Sequence, residues 1–248
     1  ENAEIIAKDF LLKKIFDKAQ YIISTYSRAK YVQFLRGKGA TIGNYVYFVN
    51  PRNTNFDLNR AKFITIGDEV IICSGVSLLA HDHSWIVPMK RFKTLVQNGG
   101  GRIEIGNNVF IGEGSTILRN VKIGNNVIIS ARSVVTKDCE DDSVYGGVPA
   151  RKIMTLEEYA NKIKARQETE ILQNYKTLVT NNTPPKESEM MNFAFLFLER
   201  NEENFNKILS QSWIGTNKRH IREIFWETTP LDGVNSYTDF IKFIQSKI

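Results

Sequence analysis

From Ile105 to Glu140 the chain can be cut into six-residue blocks that read IGNNVF, IGEGST, ILRNVK, IGNNVI, ISARSV and VTKDCE. The first position is a β-branched aliphatic throughout (Ile105, Ile111, Ile117, Ile123, Ile129, Val135). The fifth is small or β-branched (Val109, Ser115, Val121, Val127, Ser133, Cys139). A period of six matches neither a 3.6-residue helix face nor a two-residue alternation. It matches a parallel β-helix, in which each short strand turns a corner and stacks on its equivalent one coil away. The leading aliphatics are then expected to form one continuous ladder inside the prism. Gly and Asn supply the left-handed backbone angles that corners demand.

The same phase starts at Ile42-Gly43-Asn44-Tyr45-Val46-Tyr47, breaks over the polar stretch from Asn50 to Lys62, and resumes at Ile66-Gly67-Asp68 to end in Leu78-Leu79-Ala80-His81-Asp82-His83. It is lost from Ser84 to Gly101, where Pro88, Lys90, Arg91, Lys93 and Gly99-Gly100-Gly101 read as a loop thrown out from the prism. Long loops inside compact domains are often functional, so chemistry is expected beside this one. The segment Val144 to Arg151 leaves the coil as an extended tail. Ahead of the repeat, apolar residues from Ile5 to Tyr26 recur at helical spacing, which predicts a helix over residues 4 to about 36. Its apolar stripe suits packing on the prism or on another subunit better than a membrane surface, although its lysines leave peripheral membrane contact open. From Thr155 the composition changes. Thr155-Leu156-Glu157-Glu158 has capping-box spacing, a helical run reaches about Thr180, and residues 188–248 read as four short helices around Phe193, Phe195, Phe197, Phe205, Trp213 and Trp226. The expected organisation is residues 1–39, an N-terminal helical segment; 40–153, the β-helix; and 154–248, a helical appendage.

A chain of 248 residues with 42% hydrophobic and 24% charged residues has the composition of an ordinary globular protein. The formal charge of +6 suits nucleic acid, an anionic surface or a phosphorylated small molecule, and selects none of them. There is no recognised nucleic-acid motif. No apolar run is long enough to span a bilayer, and no secretory pattern opens the chain. Cys73 and Cys139 both lie in repeat blocks, where a small apolar residue fits. They read as reduced structural thiols, consistent with a cytoplasmic address.

Two of the three histidines stand together in Ala80-His81-Asp82-His83-Ser84, where coil gives way to loop. Imidazole is the natural base near neutral pH, and a nearby carboxylate such as Asp82 can orient it. A closed zinc site is short of ligands within one chain, so no metal is expected. Solvated surface histidines are the bland alternative, and their position beside the loop favours catalysis.

The blocks IGDEVIICSGVSLLAHDH and IGNNVFIGEGSTILRNVKIGNNVIISARSVVTKD, with the exit GGVPAR, resemble the hexapeptide-repeat acyltransferases, particularly the maltose/galactoside and capsule or O-antigen sugar O-acetyltransferases. The likeness covers about residues 40 to 153. It implies a mainly β fold, a left-handed parallel β-helix flanked by an N-terminal helix and a C-terminal helical appendage. It also implies acetyl-CoA as cosubstrate and a His that deprotonates the acceptor hydroxyl, in register His83, with His81 second. Carried over by position, CoA contacts fall on Glu113, Ala131, Thr136, Lys137 and Arg151, with Phe110 where relatives often have Trp and Met154 where some have Lys. An acceptor-side Asn corresponds to Asn53 or Asn55. The resulting expectation is O-acetylation of a sugar hydroxyl of a surface polysaccharide or its precursor. The rivals are N-acetylation of an amino-sugar nucleotide and a non-enzymatic scaffold. A site made of one His and a few backbone groups is shallow unless a neighbour closes it, so a homotrimer with three clefts is expected.

Overall fold

A computed structural model describes residues 18–210 and 218–248, which fall into two compact units, Glu1–Glu157 and Glu158–Ile248. Within the first, the chain visits three parallel sheets in turn. One face stacks β1 (Thr41–Ile42), β4 (Ile64–Ile66), β7 (Ile103–Ile105) and β10 (Val121–Ile123). The second stacks β2 (Tyr47–Phe48), β5 (Ile71–Ile72), β8 (Val109–Ile111), β11 (Val127–Ile129) and then β13 (Ser143–Gly147) and β14 (Ala150–Thr155). The third stacks β3 (Asn55–Phe56), β6 (Ser77–Leu79), β9 (Thr116–Leu118) and β12 (Val134–Val135). This is the left-handed parallel β-helix.

The leading aliphatics point inward, at 0–2% exposure from Ile105 to Val135, and the fifth positions are likewise buried, from 0% at Ser115 to 4% at Cys139. They form three ladders, not one. Ile66 stacks on Ile105 and Ile123, Ile72 on Ile111 and Ile129, and Leu78 on Ile117 and Val135. Each six-residue block is one side of a triangle, so three blocks pass before the chain returns to the same face.

The recurring Asn residues have a definite task. At the corner between the first and second faces, each side-chain oxygen accepts the backbone N–H of the coil below: Asp68 from Asn44 (2.6 Å), Asn107 from Asp68 (2.8 Å), Asn125 from Asn107 (2.9 Å) and Asp141 from Asn125 (2.8 Å). Corner N–H groups that the sheets cannot pair are thereby satisfied, each worth about 1 kcal/mol net. The left-handed residues beside this ladder are Tyr45, Glu69, Asn108, Asn126 and Asp142. Gly106 is required for another reason: a Cβ there would sit 2.6 Å from the Gly124 carbonyl oxygen of the next coil.

The two ends of the stack are finished differently. At the start, α1 (Arg28–Gly37) buries Tyr31 and Leu35, with the Tyr31 ring perpendicular to that of Phe48 at 5.0 Å. Arg36 donates to the carbonyls of Ile42 (2.7 Å) and Gly43 (2.6 Å). The single N-terminal helix expected over 4–36 is interrupted in its described part. Residues 18–24 are helical, 25–27 turn, and α1 begins at Arg28. Ser24 and Thr25 return their hydroxyls to the carbonyls of Tyr21 and Ile22 (both 2.7 Å), the local competition by which Ser and Thr loosen a helix. Residues 4–17 of that expectation lie outside the described residues. At the other end, β14 pairs antiparallel with β13, so the expected extended tail folds back as a hairpin.

The second unit contains most of α3 (Leu156–Leu178), followed by α4 (Ala194–Phe197), α5 (Glu202–Leu209), α6 (Lys218–Glu227) and α7 (Tyr237–Gln245). Its core is aromatic, with Phe197 stacked on Phe240 at 4.9 Å and Phe205 against Phe225 at 5.6 Å. Asn201 and Ser236 cap α5 and α7 with their side chains. No helix among the described residues is long and apolar enough to cross a membrane.

Candidate active site

The third face ends at a corner where four coils present different side chains. On the second coil the chain leaves the prism after Ala80, which is fully buried, and returns at Gly101, whose N–H bonds the Ala80 carbonyl at 2.8 Å. His81, Asp82 and His83 therefore belong to the loop and not to the last repeat block. Gly100 sits in the left-handed region, and a Cβ on it would meet the Ala80 oxygen at 2.6 Å, so the loop can close there only through glycine.

Directly beneath lies Asp57. Because Asn55 stacks under Ser77 and Phe56 under Leu78, Asp57 reaches the corner one coil below His81, 24 residues earlier in the chain. One carboxylate oxygen bonds His81 Nδ1, and the other accepts the Arg60 N–H at 3.2 Å. The Asp57 side chain is 5% exposed and that of His81 23%. A buried carboxylate needs such partners. Its hold on Nδ1 fixes the tautomer with the proton there and leaves Nε2 as a proton acceptor. Sequence reasoning missed Asp57: one regular coil of three blocks counted back from His81 falls on Phe63, and only the longer first coil, in which Ile42 stacks under Ile66, puts Asp57 beneath the histidine.

The neighbouring residues behave differently. His83 is exposed, makes no side-chain hydrogen bond among the described residues, and meets the His81 ring edge-on at 5.3 Å. Asp82, expected to orient an imidazole, is engaged elsewhere. It accepts from the Ser84 amide (2.9 Å), the Ser84 hydroxyl (2.5 Å) and Arg119 Nε (2.8 Å). The Ser84 hydroxyl first, then the Ser84 amide and Arg119, hold the Asp82 carboxyl well below the usual carboxylate range. The Asp that orients His81 is Asp57, because Asp82 is tied across to the next coil.

A groove of about 400 Å³ opens at this corner, lined by Leu79, His81, Asp82, Leu118, Arg119, Asn120 and Thr136. Leu79, Leu118 and Thr136 follow one another up the third face, since Leu79 pairs with Leu118 and Val135 with Ile117. Of the residues expected to hold a cosubstrate, Thr136 lies in this groove and Lys137 follows it at the same corner. Glu113 and Ala131 occupy the corner between the second and third faces, where Arg132 N–H bonds the Glu113 carbonyl at 2.8 Å. Asn53 is at that corner too, its amide donating to Ser74 Oγ at 2.9 Å. Asn55 faces solvent on β3. Phe110 stands on the second face at 40% exposure, and Arg151 and Met154 are on β14. Within one chain the expected residues are thus divided between two corners and two faces. Neither cysteine takes part, and burial, then Asp138, pushes the Cys139 thiol up to about 12.

Residues 102–137 match the family model for "Bacterial transferase hexapeptide (six repeats)". Protein CapG of Staphylococcus aureus is 41% identical over 129 residues, 52% of this chain and 73% of that protein. The putative acetyltransferase YvoF of Bacillus subtilis (strain 168) is 33% identical over 138 residues, 56% of this chain and 72% of its own length. The chain belongs to the hexapeptide-repeat acyltransferases. It is therefore an enzyme, and the stacked coils are the scaffold on which this family transfers acyl groups. Galactoside O-acetyltransferase of Escherichia coli (strain K12) is also similar, at 34% identity over 50% of this chain and 58% of that enzyme.

Proposed function

We propose that this acyltransferase moves the acetyl group of acetyl-CoA to a hydroxyl of a sugar, with His81 as the general base and Asp57 as the residue that orients it. The observation that carries the reading is the bond from His81 Nδ1 to the buried Asp57 carboxylate at the wall of the groove, which leaves Nε2 available. His83 has no such support. The name of YvoF supports acetyl transfer, and that of the galactoside enzyme supports a sugar hydroxyl as the acceptor.

In this mechanism, His81 Nε2 takes the hydroxyl proton as the alcohol oxygen attacks the thioester carbonyl carbon. The tetrahedral intermediate then collapses, the C–S bond breaks, and the same proton passes from His81 to the departing CoA sulfur. The products are an O-acetyl ester and free CoA. Base assistance contributes about 10²- to 10⁴-fold, and binding both partners in attack geometry contributes further. Thr136 and Lys137 line the donor's path at the His81 corner, and Arg151 offers a guanidinium to the nucleotide phosphates. Glu113, Ala131, Asn53 and Phe110 join the site from a neighbouring copy in a cyclic trimer, whose second corner or face meets this one.

The test is turnover of His81→Asn and His83→Asn, assayed by CoA release with sugar hydroxyl acceptors and with amino-sugar acceptors. The expected result is a loss of about 10²- to 10⁴-fold for His81→Asn and a much smaller one for His83→Asn, with hydroxyl acceptors preferred. The reverse ranking would return the role to His83, and preference for amines would make the enzyme an N-acetyltransferase.

A further inference from the structure

The groove beside His81 contains a guanidinium that the transfer step does not use. Among the lining residues Arg119 is the only Lys or Arg, and Asp82 is the only carboxylate. Leu118 stacks on Leu79, so Arg119 stands one coil above Ala80, roughly 5 Å along the stack from the segment that carries His81. Its Nε donates to Asp82 at 2.8 Å, and neither Nη group has a hydrogen bond among the described residues. The side chain is held from within its own chain. Ser84, at the mouth of the loop before α2 (Ile86–Phe92), donates to Asp82 through its amide and its hydroxyl, and Asp82 in turn fixes the guanidinium. A guanidinium is planar and keeps its charge at every working pH, so fixing Nε leaves an oriented edge of Nη–H donors.

We propose that Arg119 recognises a carboxylate on the acceptor, which makes that acceptor an acidic sugar of the uronic acid class. The assignment rests on the reading of His81 as the base beside which the acceptor binds. The Nη edge only donates. A sugar hydroxyl has a proton of its own to place, and Asp82, which could have taken it, already accepts three hydrogen bonds. The matching partner only accepts and presents two oxygens in one plane, as a carboxylate does. The acetyl donor offers no such group here. Its thioester must meet His81, and the pantetheine arm holds the phosphates of CoA far from the thioester. A neighbouring copy is no better placed to fill the Nη edge. Its carboxylate would stand over the His81 coil and occupy the groove that both substrates must enter.

The experiment measures CoA release by the full chain, by Arg119→Ala and by His81→Asn. The acceptors are the methyl glycosides of glucuronic and galacturonic acid, set against those of glucose and galactose. The unaltered chain is expected to prefer the acids in kcat/KM. Arg119→Ala should raise the KM for the acids by about ten- to a hundredfold and leave that for the neutral glycosides unchanged. Through its bond to Asp82 the variant also lowers kcat, equally for both classes, so the split in KM is the readout. Acids no better than neutral glycosides in the unaltered chain, whether or not either turns over, overturn the proposal. So does a loss in kcat alone, which would turn the Nη donors toward the oxyanion of the tetrahedral intermediate. A lower oligomeric mass of Arg119→Ala in light scattering overturns it as well, since a neighbouring copy would then have held the Nη groups. His81→Asn keeps two failures apart: turnover retained there ends the reading of the base, whereas turnover lost there without a preference for acids ends only the role given to Arg119.

Discussion

The prism and the helical unit achieve burial by opposite means. In the prism a residue's neighbours are set by counting, since position i meets its equivalent one coil away whatever the side chains are, and the corners are closed by a polar ladder from Asn44 to Asp141. In residues 158–248 nothing repeats. Phe197, Phe205, Phe225 and Phe240 find one another by shape, across separations that no period announces. The difference decides what a substitution does. A change in the prism is passed to the residues stacked above and below it, whereas a change in the helical unit opens a cavity in a single small core.

The largest expected effect tests that contrast. Phe225 is fully buried, against Phe195, Phe205, Trp226 and the Arg200 guanidinium. Phe225→Ala should destabilise residues 158–248 by about 3–5 kcal/mol. Hydrogen exchange read peptide by peptide should show protection lost there and kept in β7 to β12. Equal loss in the strands would mean that the two units melt together, and the comparison would fail.

Counting also explains which parts were legible in the sequence. The six-residue phase identifies the β-helix, its loop and the histidine corner, because a stacked coil writes its geometry into the spacing. One ladder was expected where three exist, because successive blocks lie on successive faces and only every third leading aliphatic stacks on the first. Asp57 was missed because it lies in the stretch where the phase breaks, although the backbone there still stacks, with Phe56 under Leu78. Asp82 was given the orienting role because it is adjacent in sequence, yet a loop residue is free to turn to Arg119. In the helical unit the aromatic composition predicted a core, but no spacing says which ring meets which.

A smaller effect is expected where the prism departs from its own repeat. Arg119 and Asp82 link the loop to the next coil through a contact that stacking does not require. Arg119→Ala should release the segment that carries His81 and lower kcat by about tenfold, about 1.4 kcal/mol in the barrier, with the KM for acetyl-CoA changed less. Arg119→Lys should recover part of the loss, which a merely structural role would not distinguish. Because the Asp82 pKa is lowered in the folded chain, its contribution is complete above the ordinary carboxylate value and is lost only as pH falls through the lowered one. Any decline of turnover between about pH 7 and pH 5 is therefore not due to Asp82. An unchanged kcat in Arg119→Ala would show that the repeat alone holds the corner.

The smallest effect has the opposite sign and lies where helix meets coil. Tyr31 is fully buried under the first coil, and its hydroxyl has no hydrogen-bond partner among the described residues. Burial drives its pKa upward, as expected of a phenol that has lost water and gained nothing in exchange. The ring, by contrast, is well used, edge-on to Phe48 at 5.0 Å and to Tyr21 at 6.4 Å. Tyr31→Phe keeps both ring contacts and removes only the unpaired group, whose burial costs about 1–3 kcal/mol when nothing bonds it. The variant should be as stable as the parent or more so, by up to about 1 kcal/mol once the lost packing of one oxygen is set against the relief. Thermal or urea unfolding reads this directly. A loss of stability would mean that the hydroxyl is bonded, and that the helix is joined to the stack by a polar contact as well as an apolar one.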